Sequence, residues 1–156
     1  MNPGLVYDIS TRDYLNFLCN YGYKSTDLVV FTNETFSCPA KPVLGEDLNY
    51  PSISVPFLQG NMTVTRTLTN VGTPSEYTVS VEEPLGVSVT VKPKVLKFSK
   101  YGEKKTYKVT FKTIKTNPHA VFGRLVWSDG KHKVASPLLA YFCKRSQDPD
   151  CVMGSN

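Results

Sequence analysis

The chain has 156 residues, with 18 Lys and Arg against 13 Asp and Glu, a formal net charge of +5 and 40% hydrophobic residues. That length supports one domain with a real core and a small appendage, and it excludes two full domains. The composition excludes a disordered or fibrous chain, while 11 Pro and 10 Gly among many Thr, Val and Tyr favour short strands joined by turns.

Residues 1–45 differ in kind from the rest. Ser10 followed by Asp13 is an N-cap pair, and Tyr14, Leu15, Phe17 and Leu18 then recur at helical spacing until Gly22. This predicts one short helix, Thr11 to Tyr21. Ser25-Thr26-Asp27 caps a further turn through Leu28, Val29 and Val30, against the preference of β-branched residues. Cys38-Pro39-Ala40-Lys41-Pro42 reads as extended linker, because each proline fixes its own φ and keeps its predecessor out of the helical region.

From Tyr50 onward the pattern has period two. Ile53, Val55 and Phe57 share a face of a first strand, and Pro56, which cannot donate to a ladder, predicts that this strand lies at an edge. Thr63, Thr65, Thr67 and Thr69 then alternate with Val64, Arg66 and Leu68, so the Thr row faces solvent or a neighbouring strand and the other row faces the core. Arg66 is the anomaly in that core row. It must reach the sheet edge with its stem packed, or meet another domain. Tyr77, Val79 and Val81, then Val87, Val89 and Val91, then Leu96 and Phe98, then Tyr107, Val109 and Phe111 continue in phase. Gly123, Leu125 and Trp127 lead into Ser128-Asp129-Gly130-Lys131, a strong hairpin signal, and Val134 to Phe142 returns as the last strand. About seven short antiparallel strands predict a two-sheet sandwich, so the fold is mainly β with a short helical N-terminal segment. The polar residues 144–156 read as a flexible tail.

Cys19, Cys38, Cys143 and Cys151 contain no CxxC pair and no histidine at ligand spacing, which favours disulfides over a metal site. Asn33-Glu34-Thr35 and Asn61-Met62-Thr63 are glycosylation sequons, so Asn33 and Asn61 are candidate acceptors in a secreted glycoprotein. Met1-Asn2-Pro3-Gly4 carries no signal-peptide pattern, and no run approaches the length of a membrane span.

Two histidines constrain catalysis severely. His132 belongs to the Asp129 turn and His119 to a loop with no adjacent nucleophile, so both read as structural. No glycine-rich phosphate loop is present, and no cofactor is expected. Lys92, Lys94, Lys97, Lys100, Lys104, Lys105, Lys108, Lys112 and Lys115 are opposed within their stretch by Glu103 alone, which makes a basic face. Tyr107 and Phe111 fall on the side opposite Lys108 and Lys112, so they cannot stack on bases those lysines would hold. Nucleic acid is therefore not expected, and weak polyanion binding is what remains.

Several segments resemble the C-terminal end of the plant subtilisin-like serine proteases, the cucumisin-like subtilases. Pro3 to Asp8, Asp13 to Cys19, Asp47 to Ile53, Thr63 to Gly72 and Gly123 to Gly130 are similar to that family's motifs and occur in its order, covering residues 3 to about 140. The resemblance implies that residues 1–45 are the helical end of a catalytic domain with its linker, and that 46–143 form a fibronectin type III-like β-sandwich. The family's Asp, His, Ser and oxyanion Asn belong to sequence before this segment, so no catalytic residue is carried over. What is implied is a truncated fragment without the triad, supporting a subtilase catalytic domain in cis or in trans. The implied setting is extracellular, in the apoplast or cell wall. Leu5, Val6, Tyr7, Leu15 and Phe17, with Arg66, are then the candidate docking residues. Cys19 and Cys38 are expected to pair, since the helix end and the linker start must meet. Closing a loop of about 20 residues would stabilise by about 3 kcal/mol. The alternative is a free-standing sandwich that binds a protein or an acidic polysaccharide through its lysines.

Overall fold

The computed structural model describes residues 3–31, 35–41 and 45–142. In chain order the elements are strand β1 (Leu5–Tyr7), helices α1 (Thr11–Asn20) and α2 (Ser25–Leu28), and strands β2 (Ile53–Val55), β3 (Asn61–Asn70), β4 (Ser75–Glu82), β5 (Val87–Lys92), β6 (Val95–Phe98), β7 (Lys104–Thr113), β8 (Val121–Ser128) and β9 (Lys133–Ala140). The strands form two sheets, β1-β3-β7-β5 and β2-β9-β8-β4-β6.

The inward rows are those that the period-two pattern marks. Val64 and Leu68 of β3, Tyr107, Val109 and Phe111 of β7, Val87, Val89 and Val91 of β5, and Leu125 and Trp127 of β8 are all buried in one core. Tyr107 meets Trp127 edge-on at 5.2 Å between ring centroids, an arrangement that favours aromatic pairs across the two sheets. Gly123 lies where a Cβ would collide with the Glu82 carbonyl and the Pro84 ring, so the β8 and β4 backbones approach closely there.

Four features depart from expectation. The first strand stops at Val55, because Phe57 adopts a positive φ of 57° and Leu58 turns inward in its place. Second, β2 is an edge strand, as Pro56 requires, but it pairs with β9 in parallel rather than antiparallel. Third, Leu5–Tyr7 form a strand of the sandwich, paired with Asn70, Thr69 and Leu68, so the sheet recruits residues that precede position 46. Fourth, the Thr row was expected to turn its hydroxyls to solvent or to a neighbouring strand, but the Thr69 hydroxyl is buried and bonded to neither.

Helix α1 begins with a capping box in which Ser10 accepts from the Asp13 N–H and the Asp13 carboxylate accepts from the Ser10 N–H. Its end is joined to the linker by a Cys19–Cys38 disulfide. Beyond α2 a single 3-10 turn covers Val29–Phe31. Asn33, Cys143, Cys151 and the 144–156 tail lie outside the described residues.

Candidate docking site

Strand β1 covers only the last three residues of β3. The remaining edge of β3 exposes the backbone groups of Thr65 and Thr67, which need partners. The segment from Gly45 to Ser52 supplies them with side chains. Asn49 pairs with Thr67 in both directions, its Oδ1 accepting from the Thr67 N–H at 2.8 Å and its Nδ2 donating to the Thr67 carbonyl at 2.9 Å. The same amide reaches the Asp8 carbonyl at 3.3 Å, so one side chain continues the ladder where β1 ends. Asp47 Oδ1 accepts from the Thr65 N–H at 3.4 Å.

Arg66 completes this clasp from inside. Its guanidinium does reach the β3 edge with the stem packed, but residues 46–52 cover it there, so that it is 2% exposed and not available to another domain. Its Nη1 donates to the Glu46 and Thr65 carbonyls at 2.6 and 2.9 Å, Nε to the Tyr50 carbonyl at 3.1 Å, and Nη2 to the Ser52 carbonyl at 3.5 Å. Burial pulls the guanidinium below its ordinary pKa, while Tyr107, Tyr7 and Asp47 act in the opposite sense. A planar fork of donors suits such divergent carbonyls, and a lysine could not reach them together.

At the other end of β3, Asn70 is fully buried and acts as a second joint. Its Nδ2 donates to the Lys100 carbonyl at 3.0 Å and its Oδ1 accepts from the Gly72 N–H at 3.1 Å, which fixes two turns at once. Tyr7 then ties β1 to both sheets. Its hydroxyl lies 2.6 Å from the Tyr107 hydroxyl and 2.5 Å from Ser136 Oγ, which belongs to the opposite sheet. Burial, and then the neighbouring Tyr7, push the Tyr107 phenol far above its ordinary pKa, so it stays protonated and available as a donor.

Of the expected docking residues, Leu5 and Leu15 are buried within this chain, while Val6, Tyr7 and Phe17 are partly covered. The open apolar surface lies beside them on the helical segment. Tyr21, Tyr23, Val30 and Phe31 are exposed, Val30 by 84% and Phe31 by 68%. A shallow pocket of about 440 Å³ opens there, lined by Phe17, Leu18, Tyr21, Gly22, Tyr23 and Asp27. Sequence reasoning missed Asn49 and Asn70 as joints, and Tyr21, Tyr23, Val30 and Phe31 as surface. The signal for Asn49 was the Asp47-Leu48-Asn49 run, two short polar side chains on either side of a buried leucine where the Gly45–Asp47 3-10 turn ends.

The nearest approach to a catalytic constellation is Asp129 with Ser75 and His132. His132 Nδ1 lies 2.9 Å from Asp129 Oδ2, and the Ser75 hydroxyl donates to the same oxygen at 3.0 Å. Burial pushes the Asp129 carboxyl up, but the His132 ring and N–H, the Lys131 N–H and Ser75 together hold it well below the usual carboxylate range. The serine points at the acid rather than at the imidazole, so no base activates it. The constellation closes the β8–β9 hairpin, and a Tyr77 hydroxyl bonded to Asp129 has its pKa pushed up to about 12 by burial and that carboxylate. Among the described residues no group of His, Cys, Asp and Glu is arranged to hold a metal, and no helix is long and apolar enough to cross a membrane.

The two-sheet sandwich with this edge clasp is a fibronectin type III-like domain. Residues 47–140 match the family described as fibronectin type-III domain, and the chain belongs to it. The chain is also 51% identical over 142 residues to the subtilisin-like protease SBT5.3 of Arabidopsis thaliana, covering 89% of this chain and 18% of that protein. It is 47% identical over 148 residues to the CO(2)-response secreted protease of the same plant, covering 89% and 19%. A match of 47% over 140 residues to the subtilisin-like serine-protease S of Lotus japonicus covers 88% and 18%. The chain therefore spans about a fifth of the length of the curated relatives it matches. Three of the motifs shared with subtilases now have physical roles: Asp47 to Ile53 is the clasp segment, Thr63 to Gly72 carries Arg66 and Asn70, and Gly123 to Gly130 carries the close-packed strand and the Asp129 hairpin.

Proposed function

We propose that the chain acts as a non-catalytic module of a subtilisin-like serine endopeptidase and supports the catalytic domain by packing against it. The observation that carries this reading is the helical segment, which the Cys19–Cys38 disulfide fastens while Tyr21, Tyr23, Val30 and Phe31 stay open to solvent. Exposed aromatic and aliphatic side chains grouped on one short segment mark a surface that a partner covers. Its occupant is the portion of the relatives that this chain does not match, about four-fifths of their length. The clasp serves the same end. It fixes Glu46 to Ser52 against β3, so the chain enters the sandwich at a set position.

The setting is extracellular. The disulfide supports this, as does Asn61, an exposed sequon residue at the start of β3 and a glycan acceptor in this reading. The chain itself has no peptidase activity, because neither His119 nor His132 is placed to activate a nucleophile.

The test is co-expression of the 156-residue chain with a subtilase from which the matching C-terminal segment has been removed. The expected result is a complex that co-elutes on gel filtration and recovers peptide hydrolysis. Two species that elute separately, with no gain in hydrolysis, would overturn the proposal.

A further inference from the structure

The outer face of the β1-β3-β7-β5 sheet carries a second pattern, unrelated to the docking segment. Three successive rows cross it. Thr65, Lys108 and Lys92 are in register, then Thr63, Thr110 and Thr90, then Asn61, Lys112 and Ser88. The face thus presents only amines, hydroxyls and one amide over three strands. The Thr63 and Thr110 hydroxyls lie 2.8 Å apart and hold the middle row together. Lys92 and Lys108 sit directly opposite each other, an arrangement of like charges that disfavours the folded state unless an anion lies between them. The nearby carboxylates are already engaged: Asp47 with the Thr65 N–H, Glu83 with the Ser88 hydroxyl and the Val89 N–H at the end of the last row, and, at the margins, Asp8 with Lys104 and Glu103 with Lys105.

We propose that this face binds an extended acidic polysaccharide, a polyuronate whose carboxylates meet Lys92, Lys108 and Lys112 while its sugar hydroxyls meet the threonine row. The spacing fits a chain of repeating anions. Lys108 and Lys112 are four residues apart on one strand, about 13 Å, with hydroxyls filling the interval. Threonine hydroxyls both donate and accept, as a sugar hydroxyl requires of its partner. Other macromolecules fit less well. Single-stranded nucleic acid needs aromatic platforms, and the β7 aromatics Tyr107 and Phe111 face inward at 1% and 0% exposure. Protein interfaces are built on aromatic and arginine anchors and are poor in lysine. An anionic lipid surface would attract the lysines, but stable anchoring also needs apolar groups to bury, and these rows hold none.

The test uses the unglycosylated chain with its disulfide intact and oligogalacturonate as the probe, because a glycan on Asn61 would border this face. Binding is expected to weaken at least tenfold in K92Q/K108Q/K112Q. It should change less than twofold in K97Q/K100Q/K115Q, which carries the same net charge. T63V/T110V should weaken it severalfold with no change in the salt dependence. On the unsubstituted chain, amide chemical-shift changes should fall within residues 61–65, 88–92 and 106–112. Equal weakening by the two lysine triples, shift changes scattered over the surface, or equal affinity for the fully methyl-esterified probe would each overturn the proposal. So would tighter binding of DNA of matched charge. None of these results bears on whether the helical segment docks a catalytic domain.

Discussion

Replacing Arg66 by methionine keeps much of the packed stem and removes every donor that the guanidinium brings to the clasp. Three carbonyl oxygens, of Glu46, Thr65 and Tyr50, then lose bonds of 2.6 to 3.1 Å, and that of Ser52 loses a weak one at 3.5 Å. Each buried acceptor left without a donor costs about 1 to 3 kcal/mol. The sum of three is an upper bound, because removing a buried cation also relieves its desolvation and because residues 45–52 can peel away and rehydrate. We expect a loss of about 2 to 4 kcal/mol, capped by the cost of that local opening. R66K should recover little of it, since one ammonium cannot reach carbonyls that a guanidinium spans. Urea unfolding gives the magnitude, and amide exchange gives the location. Faster exchange should appear at Thr65 and Thr67, whose N–H groups donate to Asp47 and Asn49, with the β8–β9 pairing unchanged. If R66M and R66K both stay within about 0.5 kcal/mol of the unsubstituted chain, the range ordinary at surface sites, the clasp is not what holds this edge.

Tyr7→Phe leaves the Tyr107 and Ser136 hydroxyls without their shared partner and should destabilise by about 1 to 3 kcal/mol in urea unfolding, with β1 exchanging fastest. Reducing the Cys19–Cys38 bond should loosen the segment between those cysteines and leave the sandwich intact. Near-ultraviolet dichroism of Trp127, which is buried in the sandwich core, should therefore persist after reduction. The Glu103 carboxyl is pulled down to about 2 by its bond to Lys105 and then by Ser99. Its contribution is accordingly complete above the unfolded carboxyl value of about 4.3 and is lost as pH falls through about 2. A carbon-detected titration should show that midpoint, whereas one near 4 would mean the pair is not formed in solution.

The sandwich was legible because one buried face per sheet forces strict alternation, and Tyr77 to Phe111 follow it with little interruption. Other parts were not, for definite physical reasons. Leu5-Val6-Tyr7 is too short to display a period, so its membership of the sheet depends on partners more than 60 residues away. Phe57 continues the apolar alternation, yet the backbone reverses there and hands its core position to Leu58. Arg66 was visible as an anomaly, but the sequence offers no means of knowing that four carbonyls would converge on it. Tyr21, Tyr23, Val30 and Phe31 look like ordinary helix and turn residues, and only their exposure in the folded chain distinguishes them.

The docking claim is tested most directly by amide exchange on this chain alone and in the presence of a subtilase lacking the matching segment. The account predicts new protection between Tyr14 and Phe31, with the outer face of β7 unchanged. Protection confined to residues 104–113, or no change anywhere, would contradict it.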